Sequence, residues 1–265
     1  MSKIILQDID NVTYPFKEKH IEFLTERKLI TYELADKAIK SKKPYIIDYL
    51  LWEENNGNCT KKATNTLREK YGEKAKEIKQ KLKDRKASIY EQEEALETEA
   101  LVFSTFDEFR ESEIFPTGRV DEIADLNKKI KKEHPEIKII GITARGTHAK
   151  KYPEELKKIT DKTFEWNKNR EICLDEIYFE KNKIKSYNEI ITKHKEHEVL
   201  CFVEDDPKNI EPFLKRGIKC ILIEFEHHEQ ELLVKRLKET YENLIIAKTP
   251  KDAKEEIEKI IKKSY

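Results

Sequence analysis

Glycine and proline are scarce in this chain, at 6 and 8 of 265 residues. That excludes collagen-like and linker-like classes. Cysteine is scarce as well. Cys59, Cys173, Cys201 and Cys220 show no CxxC spacing and no paired framework, so neither a zinc module nor a disulfide scaffold is expected. Cys201 and Cys220 sit inside apolar runs, where a free thiol packs as a small hydrophobe. A reducing cytosol is the expected home. No stretch approaches the roughly 18 uncharged apolar residues of a membrane span. The opening MSKIILQDID has no apolar signal region followed by a small-residue cleavage site. A GxxxxGK(S/T) loop is absent, which disfavours an NTP-binding P-loop protein. An excess of one charge sign is also missing: Lys+Arg and Asp+Glu are 53 each, although charged residues make up 40%. Zero net charge and clustered apolar residues argue against disorder. What remains is a soluble, helix-rich, cytoplasmic protein with no membrane partner.

Short β-branched runs recur along the chain: Ile4–Leu6, Ile137–Ile142, Val199–Val203, Ile218–Ile223 and Leu244–Ala247. Apolar on both faces, they read as five buried parallel strands. Helical patterns lie between them. Val120, Ile123, Ala124, Asn127 and Ile130 keep a helical period, as do Tyr187, Ile190 and Ile191, and then Ile210, Phe213 and Leu214. Gly217 is placed to end its helix in the left-handed conformation. Thr249-Pro250-Lys251-Asp252 opens the last helix with an N-cap, a Pro at the first position and an acid at the third. The class predicted is α/β, a doubly wound parallel sheet.

Residues 14–115 do not fit the alternation. They read as amphipathic helices, among them Tyr45-Ile46-Ile47 with Tyr49-Leu50-Leu51-Trp52, broken by a turn at Asn55–Asn58. An insertion of roughly a hundred residues is too long for a loop, so an inserted α-helical subdomain is predicted, leaving 1–13 and 116–265 as the core. Its charge is segregated. Lys61–Lys86 carries eleven Lys/Arg and four acids, and Glu91–Glu113 carries nine acids and one Arg. Two solvated helices of opposite sign that pack together explain this, and a basic arm for a polyanion is the alternative.

In α/β sheets the sites lie at the carboxyl ends of the strands. There the chain places Asp8, Asp10, Asn11 and Val12, then Thr143, then Glu204, Asp205, Asp206 and Pro207. Lys181–Lys185 opens the helix before the Val199 strand. Two carboxylates from the first strand and one or two from the Val199 strand suit a hard divalent cation, the Mg²⁺ pattern. A hydroxyl and an ammonium complement phosphate oxygens. An aspartate facing a metal-neutralised phosphate is a credible nucleophile, and Asp10 can serve as acid and base beside it. Asp206-Pro207 reads more simply as a helix cap. Lys183 puts Tyr187, Ile190 and Ile191 at +4, +7 and +8, a proper inner face; Lys185 fits less well. His194, His197, His227 and His228 lie in charged, solvated stretches and are not expected to hold zinc. Trp52 and Trp166 read as packing residues.

On these residues the chain resembles the haloacid dehalogenase (HAD) superfamily of aspartate-nucleophile phosphohydrolases. Asp8-Ile9-Asp10-Asn11-Val12 is similar to the first motif, DxDx(T/V) after an apolar strand. Thr143 is similar to the second, Lys183 or Lys185 to the third, and Glu204-Asp205 with Asn209 to the fourth. The resemblance implies a Rossmann-like HAD core with the insertion in the C1-type cap position. It further implies that Asp8 is the nucleophile that becomes an aspartyl-phosphate and that Asp10 is the general acid/base, its carbonyl touching Mg²⁺. Thr143 and the lysine would bind the phosphoryl group. Asp205 would ligate the metal directly, and Glu204 directly or through water. Asn11 stands where Gly is common, but Asn tolerates positive φ. Glu204 stands where Gly or Asp is commoner.

Three functions are expected in order: a Mg²⁺-dependent phosphatase of a small phosphorylated substrate; a nucleotide or nucleic-acid-end phosphatase using the basic helix; and a helical interaction module on an idle core. The sequence sets neither the substrate nor the oligomeric state.

Overall fold

A computed structural model describes residues 2–43, 46, 49–50, 61–85, 93–146, 153–224 and 230–265. The Asn55–Asn58 turn, Trp52, Cys59, His227 and His228 lie outside the described residues. In chain order the elements are β1 (Ser2–Asp8), α1 (Phe16–Glu26), α2 (Tyr32–Lys40), α3 (Lys61–Arg85), α4 (Glu93–Ser104), α5 (Phe106–Glu111), a 3-10 turn at Phe115–Thr117 and α6 (Asp121–Glu133). Then follow β2 (Ile137–Thr143), α7 (Pro153–Asn169), β3 (Glu176–Phe179), α8 (Lys183–Lys193), β4 (His197–Glu204), α9 (Pro207–Leu214), β5 (Cys220–Ile223), α10 (Glu231–Thr240), β6 (Leu244–Ala247) and α11 (Pro250–Lys263). They divide into two compact units. One comprises Met1–Pro15, Arg119–Phe225 and Glu229–Tyr265; the other holds Phe16–Gly118.

The first unit is an α/β fold, a doubly wound, Rossmann-like sheet of six parallel strands in the order β3-β2-β1-β4-β5-β6. β1 is central because both its faces are apolar. Ile4 and Leu6 join Ile140, Ile142, Phe202, Ile210, Phe213 and Leu222 in one core layer, beneath α8, α9 and α10. Gln7, one residue out of that alternation, exchanges buried hydrogen bonds with Asn127 of α6 at 2.8 and 2.9 Å. That amide pair satisfies two polar groups which would otherwise cost free energy inside the sheet–helix layer. The caps form as their chemistry requires. Thr249 accepts from Asp252 N, Asp206 accepts from Lys208 N, and Gly217 has φ +75°.

Six strands are present where five were expected. β3 was missed because it is a four-residue edge strand that opens on a charge and shows one buried residue, Ile177, rather than an apolar run. Its Glu176 is held by Lys138 and Lys193. Ile191, expected on the inner face of α8, is partly exposed, whereas Ile190 is fully buried. His194, expected to be solvated, is buried, with its ring edge-on to His197.

The second unit is helical. Phe16, His20, Phe23, Phe106 and Phe109 form a ring cluster between α1 and α5. The segregated charges pair across helices. Arg68 of α3 meets Glu97 of α4, and Lys70 and Lys74 of α3 meet Glu108 and Asp107 of α5. No helix among the described residues is long and apolar enough to cross a membrane.

Candidate active site

The strand order reverses direction at β1, whose neighbours β2 and β4 lead to opposite edges. Outside the carboxyl ends of such a pair lies the crevice in which α/β sheets take ligands. Asp8 ends β1, and Glu204 ends β4 with Asp205 directly after it. Asp8 follows Ile4 and Leu6 on the side of β1 that faces α8, and the first residue of α8 is Lys183.

The result is one buried charge cluster. Lys183 Nζ lies 2.7 Å from Asp8 Oδ2 and donates to Glu204 Oε2 at 2.7 Å. Ile9 N donates to Asp8 Oδ1 at 2.8 Å. Glu204 Oε1 accepts from the backbone N–H groups of Asp205 and Asp206 at 3.1 and 3.2 Å. Asn11 Nδ2 donates to Asp205 Oδ2 at 2.9 Å. Asn11 reaches that position from a backbone φ of 59°, the left-handed turn that Asn tolerates. The cluster residues Asp8, Lys183, Glu204 and Asp205 are all more than nine-tenths buried.

Three acids thus face one lysine. Burial, then Glu204 nearby, holds Asp8 well above the usual carboxylate range, with Lys183 pulling the other way. Burial pushes Glu204 and Asp205 up to about 7 each, Asp205 being raised further by Asp8. Lys183 is raised because both acids favour its charged form against the cost of burial. Asp8, Glu204 and Asp205 each offer a carboxylate oxygen within 4.8 Å of the others, the single such group of metal-type ligands among the described residues. Hard oxygen donors with negative charge in excess fit a hard divalent cation.

Of the other residues singled out in the sequence, Thr143 ends β2 fully buried, and its Oγ1 accepts from Arg145 N at 3.1 Å. Lys185 is not part of the cluster. Its side chain is largely exposed and points to Glu180, so Lys183 is the lysine the fold delivers. The helix period explains this: two residues along α8, a little over half a turn, swing the side chain roughly 200° away. Asp10 is not one of the three clustered carboxylates; it is held by Arg145, whose Nε and Nη2 both donate to Oδ1, at 2.9 and 2.5 Å. Sequence reasoning missed Arg145, and it saw Asn11 only as a turn former. Asp206 is a cap, as expected.

No family model and no curated protein matches the chain. Among solved structures it is similar to the L-2-haloacid dehalogenase from Xanthobacter autotrophicus. The TM-score is 0.46 and the identity 11%, over 98% of this chain and 99% of that one.

Proposed function

We propose that this chain is a Mg²⁺-dependent phosphomonoester hydrolase of the HAD type, working through an aspartyl-phosphate on Asp8. The observation that carries the reading is the buried Asp8–Lys183–Glu204–Asp205 cluster at the strand-order reversal. A nucleophilic carboxylate paired with a buried ammonium, beside further acids, suits attack on a phosphoryl group whose charge a cation offsets.

Asp8 and Asp205 would hold the ion, with Glu204 and the Asp10 carbonyl as further oxygen donors. Bound there, Mg²⁺ supplies positive charge that lets an anionic carboxylate approach an anionic phosphate. Lys183 favours the ionised form of Asp8 against the burial that raises its carboxyl. A carboxylate oxygen of Asp8 bonds to phosphorus as the ester P–O bond breaks, and Asp10 gives its proton to the departing alcohol oxygen. Asp10 then takes a proton from the attacking water, the bond between phosphorus and Asp8 breaks, and inorganic phosphate leaves. Thr143 and Lys183 are proposed to bind the phosphoryl oxygens. The inserted helical unit is proposed as the cap that selects the substrate.

The basic helix is a weaker basis for a nucleic-acid substrate, since Arg68, Lys70 and Lys74 already pair with acids of the same unit. Purified protein with Mg²⁺ is expected to release phosphate from an aryl phosphate, and Asp8→Asn to bring release down to background. Undiminished turnover by Asp8→Asn would sink the reading.

A further inference from the structure

Arg145 is a buried cation that none of the roles above uses. We infer that it is a positioning residue, which fixes the carboxylate of Asp10 for proton transfer to the leaving oxygen. The inference rests on the phosphohydrolase reading.

The geometry is that of a built clamp. Two N–H groups of one guanidinium converge on a single oxygen, Oδ1 of Asp10. The same guanidinium lies over the ring of Tyr14, 4.5 Å from its centroid, and over that of Trp166 at 5.3 Å. Those two rings meet edge to face at 5.7 Å and 79°. Cation–π contacts of this kind strengthen when desolvated, and Tyr14, Trp166 and Arg145 are all buried.

Three segments therefore meet at the Arg145 guanidinium: the turn after β1, which carries both Asp10 and Tyr14, α7, and the turn after β2. Tyr14 closes the tight turn after β1, donating its N–H to Ile9 O at 2.8 Å and accepting from Asn11 N at 2.7 Å. Trp166 comes from α7. Arg145 comes from the turn after β2, anchored by its N–H on Thr143 Oγ1. The next residue, Gly146, has φ +70°, and a Cβ there would meet Leu156 Cδ1 at 3.0 Å, so the turn is shaped by both its backbone and its surroundings. Lysine could not replace this arrangement, because it has neither the planar fork nor the flat face that stacks on rings. With Oδ1 committed to two donors, Oδ2 is the oxygen that handles the proton.

A residue that only braces the fold, or that binds phosphate, affects all monoesters alike. One that positions an acid matters most where the leaving group is a strongly basic alkoxide. It matters least where that group is the weakly basic nitrophenolate. The test is kcat/KM, which reports phosphoryl transfer to Asp8, measured on ethyl phosphate and nitrophenyl phosphate with Mg²⁺. Arg145→Met is expected to lower kcat/KM on the ethyl ester by roughly 100-fold, in the range of general-acid contributions, and on the nitrophenyl ester by less than about tenfold. Arg145→Lys should fall between wild type and Met on the ethyl ester. Trp166→Leu, which leaves Arg145 and Asp10 in place, should show the same selectivity at smaller size, and it carries the test if Arg145→Met does not fold. Equal losses on both esters, or no loss on either, in an active wild-type background would overturn the inference alone. A wild type inactive on both esters would overturn the phosphohydrolase reading and this inference with it.

Discussion

Each unit has a buried ionisable centre, and the two centres have opposite electrostatics. In the helical unit His20 sits among Phe16, Phe23, Phe106 and Phe109, with its Nε2 2.8 Å from Thr105 Oγ1. Burial, with Arg110 nearby, lowers its pKa from 6.5 to about 3, so the imidazole stays neutral and satisfied. In the sheet unit three buried acids crowd one lysine, Lys183, and burial raises all three carboxyls. A buried titratable group is therefore no marker of a site in itself. The marker is a surplus of buried groups of one sign whose ionisation burial opposes, which a ligand of opposite sign would relieve.

The two centres also respond to pH in opposite senses. His20 binds its proton less readily folded than unfolded. Its contribution to stability is complete above about 6.5 and is lost as pH falls toward about 3. Glu204 and Asp205 hold protons more tightly when folded. Stability linked to them is complete below their ordinary values near 4 and is lost as pH rises through about 7.

The contrast breaks most sharply at Lys183. Lys183→Met leaves the acids with no buried cation and is expected to cost about 3–5 kcal/mol in metal-free urea unfolding at neutral pH. The deficit should shrink at pH 5, where Glu204 and Asp205 are protonated; an equal deficit at both values would mean that charge is not the cause. Asp205→Asn works in the other direction. It should raise metal-free stability above pH 7 by roughly 1–3 kcal/mol and flatten the decline between pH 4 and 7. Mg²⁺ is expected to raise the Tm of the wild type and Asp205→Asn to abolish that rise, and scanning calorimetry with and without the ion reads both effects. His20→Leu is the smallest change at neutral pH, about 1 kcal/mol for the hydrogen bond lost. It should protect the helical unit from acid between pH 6.5 and 3, seen as retained hydrogen-exchange protection in α1 and α5. If that unit opens at the same pH as wild type, His20 does not set its acid sensitivity.

What could be read from the sequence follows from how local each signal is. Asp8, Glu204 and Asp205 were legible because apolar runs announce β1 and β4, and the residue that ends a strand inherits a fixed place. Lys183 was distinguishable from Lys185 because a helix period carries its own reference in Tyr187 and Ile190. β3 escaped because a short edge strand bearing Glu176 lacks a run to announce it. Arg145 escaped for another reason. Its partners Asp10, Tyr14 and Trp166 come from two other segments, so no spacing in the chain links them, and Trp166 read correctly as a packing residue without revealing that it packs on a guanidinium. Arg68, Lys70 and Lys74 were legible as charge, and their pairing with the acidic segment bears out the plainer of the two explanations.

One backbone contact has an architectural consequence. Val120 N donates to Thr13 O at 3.1 Å, so the chain re-enters the sheet unit beside the point at which it left. The roughly hundred intervening residues span almost no distance, and closing so narrow a gap takes only a short turn, at little entropic cost. The helical segment is thus a cassette. Because its two ends meet at this one contact, a change of length within it need not shift the register of β1 or the strand pairs flanking Asp8.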